Sequence, residues 1–178
     1  MSLTSETGAG ITGAESYASI AQIDAYWTNR PHHSLAATWA AASTANKEGA
    51  AREATGYLDA TYGPFYRGQR RSYIQGLEWP RAFAKDENEA SLKDLPDQLV
   101  WATAELAARS ISGPLADDVD RGGQISEKTE RIEGAISETT KYATSAIIET
   151  RYGFLDGMIE PLLNGMQPSS MKPNWSFA

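Results

Sequence analysis

The chain has 178 residues, of which 41% are apolar, 22% charged and 10% aromatic, and its formal net charge is -7. That length suits one ordinary domain, and the mixture excludes wholesale disorder. The absence of cysteine excludes a disulfide framework, a thiolate metal site and a cysteine nucleophile, and the acidic balance argues against a surface that coats duplex DNA.

Residues 1–14 (MSLTSETGAGITGA) are small and polar, and are expected to form a flexible arm. They carry neither the basic flank nor the apolar stretch of a secretory leader. The first helix is expected after Ser19, a capping residue with Gln22 three positions on. Ile20, Ile23 and Trp27 then share a face, and Pro31 stops the helix. Residues 32–43 read equally as loop or as a short helix.

A clearer helix is predicted from Ser43 or Thr44 to about Tyr62, with Ala50, Ala54, Tyr57, Leu58 and Thr61 as its buried stripe. Gly49 and Gly56 weaken it by roughly 1 kcal/mol each, or allow close helix packing. Gly63-Pro64 ends it. Residues 65–81 are aromatic, basic and turn-rich, and read as an ordered loop pinned by Trp79. Residues 85–94 read as a solvated acidic connection.

The strongest helical signal follows Asp94, the expected N-cap, with Pro96 in the first turn and Asp97 at the positive helix end. Leu95, Leu99, Ala102 and Leu106 form its apolar face, and Gly113-Pro114 ends it. Residues 125–142 lose the helical period and gain β-formers, so a β-hairpin or pair of extended arms is expected, turning near Glu133-Gly134. A last helix is expected over about 154–164, with Pro161 inside it and Gly165 as its stop. The tail, 166–178, is sparsely charged and carries Met166, Met171, Trp175 and Phe177. The fold class is therefore mainly α: a small bundle of about four helices over 15–165, with a hairpin and an extended C-terminal tail.

The patterns that carry chemistry are weak. His32 and His33 are adjacent, so they diverge on a helix, and no carboxylate follows at metal-ligand spacing. Gly8-Ala9-Gly10 and Gly122-Gly123 lack phosphate-loop spacing, and no nucleophile elbow occurs. No enzyme, cofactor or metal is expected, and no run approaches the roughly 18 apolar residues of a membrane span.

Two segments stand out. Residues 65–81 hold Arg67, Arg70, Arg71 and Arg81 against one acid, Glu78, with Phe65, Tyr66, Tyr73 and Trp79 interleaved. Arginines with stacking aromatics are what a single-strand site uses. The competing reading, favoured because the other residues hold 12 basic against 22 acidic side chains, is an interface. There Trp79 and Tyr73 are buried and the arginines pair with a neighbour's acids. The subunit-interface candidates are then Arg67, Arg70, Arg71, Trp79 and Arg81. In the tail, Met171, Pro173, Trp175 and Phe177 are expected to dock into another protein rather than form their own core.

Tyr17 to Trp27 (YASIAQIDAYW), ATGYLDATYG at 54–63, YRGQRRSYIQGLEWPR at 66–81 and LPDQLVWATAELA at 95–107 together resemble tailed-phage head–tail connector (adaptor) proteins. Related phage sequences often carry a DnaT-like single-stranded-DNA-binding name. SEKTERIEGAISETTKY at 126–142 and FLDGMIEPLLNG at 154–165 are similar to that family's hairpin and closing helix. The most specific block is Gln75 to Arg81 followed by the Leu95-Pro96 helix. The resemblance implies a ring, usually of twelve copies, under the portal at the head–tail junction of the virion. It would extend the DNA channel, with DNA passing through the lumen without specific binding, and meet the neck or tail completion protein. It also implies that the C-terminal segment engages the portal. The basic loop and the acidic 86–97 or 117–138 stretches are expected to be complementary patches between ring neighbours. The alternative is a single-stranded-DNA-binding replication accessory using Arg67, Arg70, Arg71, Tyr66 and Tyr73.

Overall fold

The computed structural model describes residues 2–116, 125–132, 136–142 and 152–164. The chain divides into two compact units, one made of Met1–Leu115 with Tyr152–Ala178 and the other of Ala116–Arg151. The described elements are mainly helical. Five α-helices run in the order α1 (Ile20–Thr28), α2 (Ser34–Ala41), α3 (Thr44–Tyr62), α4 (Asp97–Ser110) and α5 (Gly153–Ile159). Short strands β1 (Gln69–Arg70) and β2 (Arg81–Ala82) pair antiparallel between α3 and α4.

In the second unit, β3 (Ile125–Ile132) and β4 (Ile136–Tyr142) form an antiparallel hairpin, with Ile132 opposite Ile136 and a register shift between Ile125 and Glu127. This is the expected hairpin.

The helix starts follow local chemistry. Ser19 caps α1 with a full capping box: its side chain accepts from the Gln22 backbone N–H, and the Gln22 side chain accepts from the Ser19 backbone. Ser43 caps α3 by accepting from the Asn46 N–H. The undecided stretch 32–43 holds α2, because the His33 imidazole accepts from the Leu35 N–H and supplies the cap. Alanines then carry the helix at no side-chain entropy cost.

Three expectations are corrected. Pro96, not Asp94, is the N-cap residue of α4, and it makes no side-chain cap bond; Asp94 faces Arg71 instead. Gly49 and Gly56 permit no close packing, since a Cβ on either would meet nothing within 4 Å. Finally, residues 2–14, expected to be a flexible arm, fold onto the body. Glu6 N–H donates to Ser16 O at 2.8 Å, Glu15 N–H donates to Thr4 O at 2.8 Å, and Ala14 is buried.

The core lies where α3 and α1 pack on α4. Ile23 and Trp27 of α1, Leu58 and Tyr62 of α3, and Leu99 and Leu106 of α4 are buried, and Leu155 and Ile159 of α5 complete it. Each such side chain contributes about 1.5–3 kcal/mol. All five residues of the predicted α3 stripe are buried. Polar ends inside this core are satisfied: Trp27 Nε1 donates to Ala104 O at 3.1 Å, and Tyr62 OH donates to Asp156 at 2.7 Å.

α5 passes into a 3-10 turn at Glu160–Leu162 that accommodates Pro161. Leu163 then bridges Tyr66, and Asn164 N–H donates to Phe65 O at 2.8 Å. The end of the described chain is therefore stitched to the start of the aromatic loop. The predicted stop at Gly165, the turn at Glu133-Gly134 and the tail residues Met171, Pro173, Trp175 and Phe177 lie outside the described residues.

Candidate functional site

The segment from Phe65 to Asp94 is an ordered loop wrapped around one side of the helical body, and its order comes from a few side chains. Gln75 is buried. Its amide nitrogen donates to Leu77 O at 2.8 Å and Pro80 O at 3.1 Å, and its amide oxygen accepts from the Ser72 N–H at 2.9 Å. Gly76 lets the N-terminal segment approach: a Cβ there would lie 2.7 Å from Ala14 O and 2.8 Å from Ala14 N. Trp79 is fully buried, edge-on to Tyr66 with ring centroids 6.0 Å apart, and its peptide bond to Pro80 is cis.

Arg81 closes the loop from below. Its guanidinium donates to Arg67 O at 2.8 Å, to Gly68 O at 2.9 Å and to the Glu78 carboxylate at 2.9 Å. The block Gln75 to Arg81 is thus a scaffold in which each distinctive residue fixes backbone.

The other arginines are spent in the same way. Arg67 donates to Leu163 O at 2.7 Å and pairs with Glu87 at 3.7 Å. Arg70 donates to Gln75 O at 2.8 Å and lies 3.8 Å from Glu78. Arg71 donates to Gly8 O at 3.0 Å and pairs with Asp94. The acidic stretch 86–97 therefore meets the basic loop within one chain. Trp79, an interface candidate from sequence, belongs to the chain's own core. The side chains of 117–138 lie outside the described residues.

Beneath the loop sits a partly buried carboxylate. Asp59 of α3 accepts from the Tyr17 hydroxyl and from the Glu78 N–H, and the Tyr17 oxygen in turn accepts from the Trp79 N–H. Burial pushes the Asp59 carboxyl up to about 6, and pushes the Tyr17 and Tyr66 hydroxyls well above the usual phenol range. This cluster joins three segments of chain.

Beside the exposed Arg70 and Arg71, apolar side chains also face water. Tyr73, expected to be buried, is 92% exposed, beside Ile74 at 53%. Phe83, at the far end of the β1–β2 ladder, is 87% exposed and has φ +59°. Tyr66, a stacking candidate, is buried. Sequence reasoning did not single out Ile74 or Phe83, because exposure of an apolar side chain leaves no periodic signal in a loop.

Among the described residues, no group of three or more His, Cys, Asp or Glu side chains is placed to hold a metal ion. No described helix is long and apolar enough to cross a membrane. Fold and surface together define a small, mainly α-helical protein whose most distinctive face is an ordered loop with its arginines hydrogen-bonded within the chain, Tyr66 and Trp79 buried, and Tyr73 and Phe83 outward. The model of a family described as "Putative DnaT-like ssDNA binding protein" matches residues 1–173. The chain belongs to that family. Neither the curated proteins nor the solved structures gave a match.

Proposed function

We propose that the chain is a structural subunit of a tailed-phage head–tail connector, an assembly component and not an enzyme. Copies form a ring, twelve-membered in the connectors it resembles, beneath the portal at the head–tail junction, after assembly in the host cytoplasm. The ring extends the DNA channel and presents a surface to the neck or tail completion protein. The tail residues Met171, Pro173, Trp175 and Phe177 dock on the portal.

One observation carries this reading: each of the loop's guanidinium groups is hydrogen-bonded to a carbonyl of its own chain, those of Arg67 and Arg81 being largely buried and those of Arg70 and Arg71 partly exposed, while Tyr73 and Phe83 stand in water. A phosphate track needs rows of available cations. A protein contact is built around ordered aromatic anchors. The net charge of -7 also suits a conduit, because an acidic lining repels phosphate within a Debye length of about 8 Å.

Electron microscopy of the purified chain, alone and with its portal, tests the proposal. Rings are expected, and deletion of residues 167–178 should abolish attachment to the portal. The family description fits a second reading, a single-stranded-DNA-binding accessory using Arg67, Arg70, Arg71, Tyr66 and Tyr73, of which Tyr66 is buried. That reading requires binding to labelled single strands with a steep salt dependence; the connector reading requires little binding at physiological salt.

A further inference from the structure

The geometry points to a specific head-to-tail contact: the Tyr73-Ile74 tip of one copy seats in the cleft between α1 and α2 of the next. This rests on the assembly reading above and names the contact it uses.

The tip is held by hydrogen bonds within its own chain. Ser72 N–H donates to the Gln75 side chain at 2.9 Å, Ile74 N–H donates to Ser72 Oγ at 3.3 Å, and Gly76 N–H donates to Ile11 O at 3.2 Å. Arg70 clamps Gln75 O. The N–H groups of Ser72, Ile74 and Gly76 thus have partners inside the chain, and the Tyr73 and Ile74 side chains are exposed. An aromatic presented on a preformed loop loses little conformational freedom on docking, which is what makes it an anchor.

The receptor is on the same chain. A cleft of about 610 Å³ is walled by Pro31, Ala36, Ala37 and Ala40, with Asp24 and Lys47 at its edge. Thr28 and the buried Trp27 and Trp39 complete its lining, and its volume leaves room for a ring. Its one carboxylate is half used: Asp24 Oδ1 accepts from Trp39 Nε1 at 2.7 Å and from Lys47 Nζ at 2.8 Å, while Oδ2 keeps its lone pairs. Burial raises the Asp24 carboxyl, but the Lys47 and Trp39 hydrogen bonds outweigh it and hold the group below its ordinary value, so it stays an acceptor. A tyrosine matches both features, with an apolar ring for the walls and a hydroxyl to donate to Oδ2. The tip and the cleft are different patches, so the contact is heterologous and repeats head to tail, the kind of contact a ring of copies uses.

The test uses the full chain and two variants, each of which removes one face. Tyr73→Ala takes away the knob. Ala37→Arg fills the cleft with a long side chain at an exposed helix position. Both should keep the wild-type helical content and melting behaviour. By sedimentation velocity, each alone should associate at least about tenfold more weakly than wild type. An equimolar mixture should form dimers and stop there, because only one productive contact exists: Tyr73 of the Ala37→Arg copy in the cleft of the Tyr73→Ala copy. Tyr73→Phe should fall between wild type and Tyr73→Ala.

A Tyr73→Ala chain that assembles like wild type overturns the contact while leaving a ring-forming connector intact. So does a mixture no more associated than either variant alone. A wild-type chain that stays monomeric at its highest soluble concentration and captures single strands through Tyr73 overturns both this contact and the assembly reading.

Discussion

The Tyr17 hydroxyl donates to the Asp59 carboxylate from 42 residues away in sequence, and the same tyrosine oxygen accepts from the Trp79 backbone N–H. One phenol thereby ties the segment before α1, the middle of α3 and the aromatic loop together. The loop's exposed tip is a consequence of this buried junction, since Trp79 and Glu78 are positioned from below before Tyr73 is presented above.

Asp59 makes that junction sensitive to pH. Its carboxyl is raised from 3.8 to about 6, chiefly by burial, so the folded chain holds this proton more tightly than the unfolded chain. Its stabilising contribution is then fully present below about pH 4 and is lost as pH rises towards 6. The two-unit difference sets an upper bound of about 3 kcal/mol. Asp59→Asn cannot titrate. Between pH 4.5 and 7.5 its urea-unfolding free energy should gain on that of wild type, and parallel pH profiles would refute the assignment.

Gly68 tests how tightly the β1–β2 ladder is closed. It has φ +74°, and a Cβ there would sit 2.4 Å from Ala82 O and 2.7 Å from Ala84 N, both backbone atoms. Gly68→Ala must therefore move β2 and with it Phe83 and the Arg81 clamp. A loss of about 2–4 kcal/mol is expected from strain and displaced backbone. Thermal unfolding would measure it, and a change below about 0.5 kcal/mol would show that the ladder can shift freely.

Much of the helical frame was legible in the sequence because its signals are local. Ser19 with Gln22, Ser43, and the α3 stripe from Ala50 to Thr61 each act within a few residues, and the structure places them as the pattern required. The aromatic loop was legible only as ordered and pinned by Trp79. Its wiring runs from Arg71 to Gly8 and Asp94, and from Gly76 to Ile11 and Ala14, and no spacing rule encodes partners so far apart. The same gap explains the N-terminal segment, whose glycines and small polar residues read as an arm. They instead form a loop closed around a carboxylate, and composition cannot distinguish the two.

That carboxylate gives a direct test of the segment's order. Glu6 is buried and accepts four backbone N–H groups: Thr7 at 2.9 Å, Gly8 at 2.8 Å, Gly10 at 3.0 Å and Ile11 at 2.9 Å. Glu6→Ala leaves these donors without their acceptor and should cost about 3 kcal/mol. Glu6→Gln keeps an oxygen for three of them and should cost less. Amide hydrogen exchange at residues 7–11 would report the change. Unaltered protection in Glu6→Ala would mean that the segment is held by its other contacts, to Glu15, Ser16, Arg71 and Gly76.

The core beside Trp79 contains the opposite situation, polar atoms with no partner. Among the described residues, the Tyr66 hydroxyl and Trp79 Nε1 are buried without a hydrogen bond. A buried, unpaired donor carries a desolvation cost of about 1–3 kcal/mol. Removing only the hydroxyl, as in Tyr66→Phe, keeps the ring against Trp79 and takes away that cost, so the variant should be as stable as wild type or more stable, by up to about 1 kcal/mol. Tyr66→Leu loses the edge-on ring contact and should be destabilised. Chemical denaturation of the pair separates the two contributions. If Tyr66→Phe unfolds at clearly lower denaturant than wild type, the hydroxyl has a partner that stabilises the loop, and the packing account of this corner must give way to a hydrogen-bonded one.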